Sequence, residues 1–596
     1  MKRSLFLLAF AAAACSQQQQ QATPDNSTTA AAEAPAKWTA AQSKEILAKT
    51  ETIRLEPDIS HLGAGERAAV AKLIEVGQIF QDLYETQRHA QALAARAKLA
   101  KGSDEEKLYR LFQGPIATTL DNKRLPFVDV ATPPPGKNVY PLDLTGQEYE
   151  KFVADHPDRK AELTHLRSVV RRADAASLKR DLDTLGANPV LDVLHPGLKA
   201  RLEGFAKSPD SKMLYAVPYS VAYADQTLKA SRLLGEAADA VAVEDEEFAG
   251  YLRNRARDLL SDDYESGDAA WVTGHFKNLN AMIGSYETYD DELSGTRAFY
   301  GVSILARRPQ DTEALAKGLT GLQSVEDALP YDRHKKIRAD IPVGVYDIIA
   351  DFGQARGGNT ATILPNEAYL ARRYGRTILL RANVMRNPQI FGAADATWTA
   401  VVAPEFASHL TAEGQFNRTL WHEVGHYLGV DRTSDGRDLD VALGADGNLI
   451  EEMKADLVSL FAGPELQKDG YFTADQLRSH YASGIMRTLQ NVQPRRDQPY
   501  QTMQLMTFNW FLDKGVLRFD PASGKLSIDY ARYHAAVEAL LREVLAIQDA
   551  GDPKRSDAFI MQWSKWDEGL HGRIAKAMRD QQKVRYRLFT YAALDG

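Results

Sequence analysis

Apolar residues recur every three or four positions over much of this chain, a spacing that predicts amphipathic helices. The clearest stretch is residues 66–100, where we expect one or two helices. Residues 221–260 show the same spacing with a high alanine content, and the chain after residue 418 is mostly of this kind. The fold should therefore be rich in helix. The predicted core positions of the first stretch include Val70, Leu73, Ile74, Ile79 and Leu83.

Shorter apolar runs with β-branched residues predict strands. Two of them are residues 343–349 and 377–380, and residues 526–528 form a third, shorter one. Residues 351–360 lie between the first two runs, and their glycines indicate a loop whose backbone approaches another group closely. This is not a phosphate-binding loop, because the chain contains no G-x-x-x-x-G-K-[ST].

Length and composition limit the kinds of protein this chain can be. Its 596 residues are 44% hydrophobic and 26% charged, enough to bury a large core and too many for one simple domain. The formal net charge is −8 and the isoelectric point is about 6.0. Because no basic tract interleaved with aromatic residues occurs, we exclude nucleic-acid binding. No apolar run is long enough to cross a bilayer.

The first residues have the pattern of an export signal. Lys2 and Arg3 precede an apolar segment, residues 5–14, which ends in small residues directly before Cys15. Cys15 is the only cysteine, which excludes an intrachain disulfide and is best explained by lipid attachment. We therefore predict a lipoprotein signal peptide over residues 1–14. The alternative is an ordinary secretory signal in which the cysteine is tolerated.

The residues after the signal predict a tether and a location. Residues 15–44 comprise the lipidated cysteine and a low-complexity stretch that cannot bury a core and should be flexible. Ser16, rather than an aspartate, follows the cysteine, which in Gram-negative lipoproteins usually implies the outer membrane. We therefore expect an exported protein at the periplasmic face of that membrane, held there through the lipid alone.

The strongest candidate for chemistry is the sequence H-E-x-x-H at residues 422–426. On a helix, His422 and His426 point from one face, where two imidazoles at this spacing can hold a zinc ion. Glu423, next to the first histidine, can take a proton from water bound to the metal. The motif also occurs by chance in long helical proteins, so a third ligand is needed.

Glu452 offers that third ligand, 26 residues beyond His426, in a second predicted helix. Two histidines and a carboxylate with a fourth position open to water form a catalytic zinc arrangement, whereas structural sites are usually closed by four protein ligands. The same ligands also accept cobalt or manganese. The alternative for the second helix is a structural role, in which Asn448 and Glu451 form a capping box at its start.

With both motifs in view, the chain resembles the dipeptidyl peptidase III family of zinc metallopeptidases. In that family the zinc helix is followed by a helix of the form E-E-x-[RK]-A-[DE], which here is residues 451–456. Many members have one extra residue between the histidines. The five-residue form found here is also known in bacterial members and in plant relatives fused to a Nudix domain, and no Nudix motif occurs in this chain.

The resemblance implies an α+β, helix-rich fold of two lobes that face each other across a wide cleft. The catalytic unit would span residues 45–596. Residues 45–300 and 340–395 would mainly form a mixed lobe with a β-barrel core. Residues 396–570 would mainly form a helical lobe that carries the zinc.

The resemblance also implies roles for the residues around the metal. The two histidines and Glu452 match the zinc ligands, and Glu423 matches the general base. Glu451 and Asp456 match carboxylates that accept the outer N–H groups of the ligand histidines and so fix their orientation.

Further residues match positions that face the substrate. Glu287 matches a residue that holds the free amino terminus, and Tyr289 one whose hydroxyl steadies the oxyanion. If the resemblance is set aside, the alternative for Glu287 is a solvated surface charge, and the alternative for Tyr289 is an ordinary buried aromatic residue. Asn383 matches an asparagine that binds the peptide backbone, and Asn366 is assigned to the same cleft. Tyr500 stands where the family usually has a histidine that contacts the transition state.

The implied activity is that of a zinc exopeptidase which releases dipeptides from the amino terminus of short peptides. Each chain, expected to be a monomer, would hold one zinc ion, and Glu423 would assist the attack of zinc-bound water. One alternative is a zinc hydrolase of the same fold with a non-peptide or atypical substrate, which Tyr500 could signal. Another is a non-catalytic lipoprotein that captures peptides. Glu423 argues against it, since a binder has no need for that carboxylate.

Overall fold

The structure is a computed structural model. The predicted signal peptide, Cys15 and most of the predicted tether lie outside the residues that it describes, and so does Asn366. No helix in the described part is long and apolar enough to cross a membrane. The structure describes residues 38–120, 123–337, 342–365, 367–496 and 498–595.

The strands are short and widely spaced along the chain. They are β1 (Thr50–Leu55), β2 (Ile116–Thr118), β3 (Arg124–Pro126), β4 (Ser168–Ala173), β5 (Asp210–Pro218), β6 (Leu279–Ser285), β7 (Tyr300–Arg307), β8 (Val343–Gly353), β9 (Ala361–Leu364), β10 (Thr377–Arg381), β11 (Leu517–Asp520), β12 (Lys525–Ile528) and β13 (Tyr586–Tyr591).

Helices make up most of the ordered structure. In the first part of the chain they are α1 (Ala40–Ala48), α2 (Ala64–Arg88), α3 (Ala92–Arg96), α4 (Asp104–Phe112), α5 (Gly146–Asp155), α6 (Lys160–Leu163), α7 (Ala175–Ala187), α8 (Pro189–Leu194), α9 (Leu198–Ala206), α10 (Tyr219–Ala222), α11 (Ala224–Val241), α12 (Glu246–Ser261), α13 (Glu265–Thr273), α14 (Pro309–Thr320) and α15 (Leu322–Ala328). The remaining helices are α16 (Ala368–Tyr374), α17 (Ala382–Met385), α18 (Pro388–Val401), α19 (Ala412–Gly425), α20 (Leu439–Leu443), α21 (Gly447–Phe461), α22 (Gly463–Lys468), α23 (Ala474–Thr488), α24 (Pro499–Asp513), α25 (Tyr533–Ala550), α26 (Pro553–Trp563) and α27 (Arg573–Gln581).

The largest sheet has five strands in the order β6-β7-β8-β10-β9. β8 is antiparallel to β7 and parallel to β10, and β9 is antiparallel to β10. A sheet closes into a barrel only when its edge strands pair with each other. Within the described residues the edge strands β6 and β9 do not pair, so the predicted β-barrel core is not confirmed.

Apolar side chains form two large cores, and the five-stranded sheet contributes to both. Helices α2, α11 and α12 pack in the first core, whereas α19, α21, α23, α24 and α25 pack in the second. Side chains alternate between the two faces of a strand. In β10, Leu379 therefore lies in the first core, and Ile378 and Leu380 lie in the second. The sheet thus joins the two cores.

The helices predicted from periodicity and the strands predicted from apolar runs are largely present. Residues 66–100 form most of α2 and all of α3, and the chain after residue 418 is mostly helical. The three predicted strands correspond to β8, β10 and β12. Val70, Leu73 and Leu83 are buried, and Ile74 and Ile79 are partly buried against the same core.

The predicted glycine-rich loop differs in part from the structure. β8 continues to Gly353, so the first three residues of the predicted loop belong to a strand. Asp351 is buried there, and its Oδ1 accepts a 2.6 Å hydrogen bond from the hydroxyl of Ser303 on β7. β8 thus stays paired with β7 as far as Gly353, beyond the apolar run that predicted the strand.

Asp262 is a buried carboxyl directly after α12. Its Oδ2 accepts a 2.9 Å hydrogen bond from the backbone N–H of Ser220 and lies 4.0 Å from Nε2 of His195. Burial raises the pKa of Asp262 to about 7, although the Ser220 hydrogen bonds and the charge of Arg167 act to lower it. Below about pH 7 the protonated form of Asp262 is therefore favoured in the folded protein.

We expect Asp262→Asn to stabilise the protein at alkaline pH. Because the folded-state pKa lies above the ordinary value of 3.8, the folded protein binds more protons between about pH 4 and 7 and loses stability as pH rises through this window. A shift of about three pKa units corresponds to up to about 4 kcal/mol. Asparagine keeps an oxygen for Ser220 and cannot ionise. The Tm of the variant should exceed that of wild type at pH 8.5, and the gain should shrink by more than half at pH 5. Calorimetry showing equal gains at both pH values would contradict this.

Candidate metal centre

Helix α19 carries the first two prospective ligands. It begins after Thr411, whose side chain accepts a 3.0 Å hydrogen bond from the backbone N–H of Gly414. His422 lies inside the helix, and His426 is its C-cap residue, so the helix ends inside the motif instead of continuing beyond it. The cap residue keeps helical dihedral angles, and the two imidazole rings are centred 4.9 Å apart. Both rings therefore still lie on one side.

Helix α21 packs closely on α19 and brings the third prospective ligand. A Cβ at Gly425 would lie 2.6 Å from the carbonyl oxygen of Ala455, so the two helices can approach this closely only with glycine there. Oε2 of Glu452 then lies 3.3 Å from Nε2 of His422 and 3.7 Å from Nε2 of His426. Two helices thus converge on one point.

The residues present fit a zinc ion. Within the described part of the chain, His422, His426 and Glu452 are the one group of three His, Cys, Asp or Glu side chains whose ligand atoms all lie within 4.8 Å of one another. Oε2 of Glu452 is buried and accepts no hydrogen bond from the described residues. Buried polar atoms are rarely left in this state. Two imidazole nitrogens and this oxygen form a donor set that zinc accepts, with one position left for water or substrate.

Asp456 orients His422. Its Oδ1 lies 2.7 Å from Nδ1 of His422 and 3.3 Å from Nη1 of Arg418, and its Oδ2 lies 2.7 Å from Nε of Arg487. Burial alone would raise the pKa of Asp456, but the charges of Arg487, His422 and Arg418 outweigh it and hold that pKa far below its usual range. The ionised carboxylate faces Nδ1, which leaves Nε2 of His422 for a metal.

Glu451 orients the imidazole of His426. Its Oε1 lies 3.0 Å from Nδ1 of His426 and 2.8 Å from Nζ of Lys454, and its Oε2 accepts a 2.8 Å hydrogen bond from Gln548. Burial alone would raise the pKa of Glu451, but Lys454 and His426 lower it to about 2. Glu451 and Asp456 therefore each lie beside Nδ1 of one histidine, and their role in orienting metal ligands stays a prediction.

Several supporting residues were not predicted from the sequence. Arg418 and Arg487 hold Asp456, and Gln548 holds Glu451, from helices far apart in sequence. No local pattern could have indicated them. Lys454 stands at the [RK] position of the second motif, which was the available signal for its contact with Glu451.

Glu423 is almost fully buried beside His422, with 2% of its surface exposed. Its Oε1 accepts no hydrogen bond from the described residues. Burial raises the pKa of Glu423 above its usual value, although His422 and His426 act to lower it. A carboxyl whose pKa is raised above its usual value holds a proton more readily, so the environment suits the predicted role of general base.

Tyr500 lies next to a prospective metal ligand. Its hydroxyl donates a 2.7 Å hydrogen bond to Oε1 of Glu452. Burial alone would raise the pKa of Glu452, but the two imidazoles and this hydroxyl outweigh it and hold that pKa below its usual range. The predicted contact of Tyr500 with substrate stays a prediction.

Glu287 and Tyr289 lie in the segment that connects β6 to β7. Tyr289 is 53% exposed, which rules out the alternative of an ordinary buried aromatic. The neighbouring Asp290 anchors the segment, because it accepts hydrogen bonds from Tyr84 at 3.0 Å and from Lys137 at 3.1 Å. Tyr289 makes no hydrogen bond to the metal-ligand cluster among the described residues, and the roles of both residues stay predictions.

The side-chain amide of Asn383 makes two hydrogen bonds to the backbone of β8. Its Oδ1 accepts a hydrogen bond from the backbone N–H of Ile348, and its Nδ2 donates one to the carbonyl oxygen of Ile348, both at 3.0 Å. Asn383 thus ties α17 to β8, and its predicted contact with a peptide would use the remaining hydrogen-bonding capacity of the amide.

The sequence is similar to one curated protein, a plant hydrolase. No family model matches the chain. The chain is 27% identical to Nudix hydrolase 3 of Arabidopsis thaliana over 464 residues, which cover 76% of this chain. The match covers 57% of the plant protein, so this chain spans little more than half of that relative's length.

Two solved structures share the fold. The structure of dipeptidyl peptidase III from Caldithrix abyssi matches with a TM-score of 0.77 and 22% identity, covering 92% of this chain and 99% of that one. The enzyme of the same name from Corallococcus sp. strain EGB matches with a TM-score of 0.69 and 23% identity, covering 92% and 97%. The predicted helix-rich, two-lobed fold of dipeptidyl peptidase III is therefore confirmed.

Proposed function

We propose that this chain, which has the dipeptidyl peptidase III fold, is a zinc-dependent metallopeptidase that releases dipeptides from the amino terminus of short peptides. The observation that carries the proposal is the cluster of His422, His426 and Glu452, in which each imidazole is oriented by its own carboxylate. The names of the two solved structures support it. The plant relative's name refers to a Nudix hydrolase, whose motif does not occur in this chain.

The cluster would hold one zinc ion through Nε2 of His422 and His426 and Oε2 of Glu452. When bound, such an ion polarises a carbonyl group and lowers the pKa of water toward neutrality. Glu423 takes a proton from the attacking water and returns it to the leaving amine. Its raised pKa suits both transfers.

The segment between β6 and β7 supplies the residues that act on the substrate. The hydroxyl of Tyr289, a residue that is 53% exposed, donates to the oxyanion of the tetrahedral intermediate. Glu287 pairs with the substrate's free ammonium group, and an anchor for that group about two residues from the broken bond makes the products dipeptides. Asn383 and Asn366 contact the peptide backbone.

A second candidate is a zinc hydrolase of the same fold that acts on a non-peptide or atypical substrate. The observation that favours it is Tyr500, which replaces the family's usual histidine and bonds to Glu452. A non-catalytic peptide-binding lipoprotein is disfavoured, because burying Glu423 with an unbonded oxygen costs free energy and gives a passive binder no benefit.

The proposal includes a location. The pattern around Cys15 supports an exported protein, anchored by lipid at the periplasmic face of the outer membrane of a Gram-negative bacterium. The chain would work as a monomer on short peptides, without nucleic acid and with the lipid as its one contact with the membrane.

The test uses the soluble protein that begins after Cys15 and a dipeptidyl-naphthylamide in two forms, with a free and with an acetylated amino group. We expect release of the dipeptide from the free form alone, loss of activity after the metal is stripped, and recovery with one equivalent of zinc. Glu287→Gln should raise KM for the free form. Glu313→Gln, with a side chain that is 73% exposed, is the matched control.

Each contrary result removes one part of the proposal. Equal cleavage of the free and acetylated forms would contradict exopeptidase action. Zinc binding without cleavage of any peptide would favour the second candidate. Failure of the wild-type protein to bind zinc would overturn both.

A further inference from the structure

Tyr500 is the second residue of α24, a helix that packs against α21. Its ring packs against the second apolar core, which holds the side chain in place. From there the hydroxyl donates its 2.7 Å hydrogen bond to Oε1 of Glu452, a residue 48 positions earlier in the chain. Tyr500 thus contacts a prospective metal ligand from a third helix.

The two oxygens of Glu452 have different surroundings. Oε1 receives the Tyr500 hydrogen bond, whereas Oε2 faces Nε2 of both histidines at 3.3 and 3.7 Å. An unrestrained carboxylate can rotate and offer either oxygen or both to a metal. The hydrogen bond to Oε1 opposes this rotation and favours Oε2 as the oxygen directed at the cluster.

This contact completes a pattern around the cluster. His422 is held by Asp456 and His426 by Glu451, and Tyr500 holds Glu452 in the same way. Among the described residues, the hydroxyl of Tyr500 is the one hydrogen-bond donor to Oε1 of Glu452. Each of the three prospective ligands therefore has one outer partner, on which metal affinity generally depends.

We propose that Tyr500 is a positioning residue that fixes Glu452 as a single-oxygen ligand and thereby sets the affinity for the metal. Its hydroxyl is committed to the metal ligand and does not take over the substrate contact of the histidine usual in the family. The inference rests on the metal site of the proposed function and not on peptidase activity.

The test is the zinc affinity of Tyr500→Phe, measured without any substrate. Loss of an outer partner typically weakens metal binding 10- to 100-fold. We expect a loss in this range when wild type and variant compete with a chromogenic chelator, together with faster zinc release. The visible spectrum of the cobalt-substituted variant should also change, because Glu452 can then bind through both oxygens.

Tyr530→Phe is the matched control, since the Tyr530 hydroxyl lies 3.2 Å from Nδ1 of His409 and does not contact the cluster. It should leave zinc affinity and the cobalt spectrum unchanged. The proposal is overturned if Tyr500→Phe binds zinc as tightly as wild type while kcat or KM changes, because Tyr500 then acts on the substrate. An equal loss of affinity in both variants would also overturn it. If the wild-type protein binds zinc but cleaves no peptide, the peptidase proposal fails. The zinc affinities of wild type and Tyr500→Phe still decide whether Tyr500 positions Glu452.

Discussion

Replacing Glu423 with glutamine is expected to lower kcat by about 10³-fold while one zinc ion stays bound to each chain. Glutamine has nearly the same size as glutamate and fits the same buried position, but it cannot accept the proton of the attacking water. Glu423 is not one of the three prospective ligands, so the cluster of His422, His426 and Glu452 is unchanged. The substitution therefore separates proton transfer from metal binding.

The measurement combines kcat on a free dipeptidyl-naphthylamide with zinc content by elemental analysis. Glu405→Gln, an exposed residue before α19, serves as the control and should match wild type in both quantities. If Glu423→Gln kept full zinc and more than a tenth of the wild-type kcat, Glu423 would not be the general base. Loss of zinc together with activity would instead indicate that Glu423 supports the ligands.

The parts of the site that the sequence predicts are those set by local spacing. His422 and His426 are four residues apart, and helical geometry alone puts their rings on one side. Glu452 and its neighbours follow from a second short motif on a helix whose apolar positions are periodic. The three-to-four-residue periodicity predicted α2, and short apolar runs with β-branched residues predicted the strands β8 and β10.

The parts that the sequence does not predict are set by tertiary packing. Tyr500 reaches Glu452 because α24 packs against α21, and no spacing rule joins residues 48 positions apart. Arg418 and Arg487 meet at Asp456 for the same reason. Sheet closure is also a tertiary property, so the predicted barrel depended on resemblance alone, and within the described residues β6 and β9 do not pair.

Replacing Lys454 with methionine is expected to destabilise the protein by about 3 kcal/mol, the lower end of the cost of removing one partner of a buried ion pair, because the side chain of Glu451 is 30% exposed. Lys454 is 1% exposed. Its Nζ donates hydrogen bonds to the carbonyl oxygens of Gly425 at 3.0 Å and Leu428 at 2.8 Å. Gly425 is the last residue of α19 and Leu428 lies three residues beyond it, so Nζ lies at the end of the helix where the helix dipole favours a cation. Nζ also lies 2.8 Å from Oε1 of Glu451. Methionine fills the space of the stem but leaves all three oxygens without this partner.

Denaturant unfolding of the metal-free protein measures the effect without a contribution from zinc. Lys468→Met is the control. Lys468 forms an i,i+3 pair with Glu465 at 2.7 Å, but its side chain is 72% exposed, so the substitution should change stability by less than about 0.5 kcal/mol.

A double variant tests where the loss in Lys454→Met arises. If it comes from the unpaired charge of Glu451, adding Glu451→Gln should recover part of the stability, because removing both charges of a buried pair is far less costly than removing one. If the free energy of unfolding of the Lys454→Met variant lay within about 1 kcal/mol of the wild-type value, Lys454 would not anchor the end of α19. A double variant no more stable than the single one would instead place the loss at the carbonyls of Gly425 and Leu428, and the role of Lys454 would then be to cap α19 and not to balance Glu451.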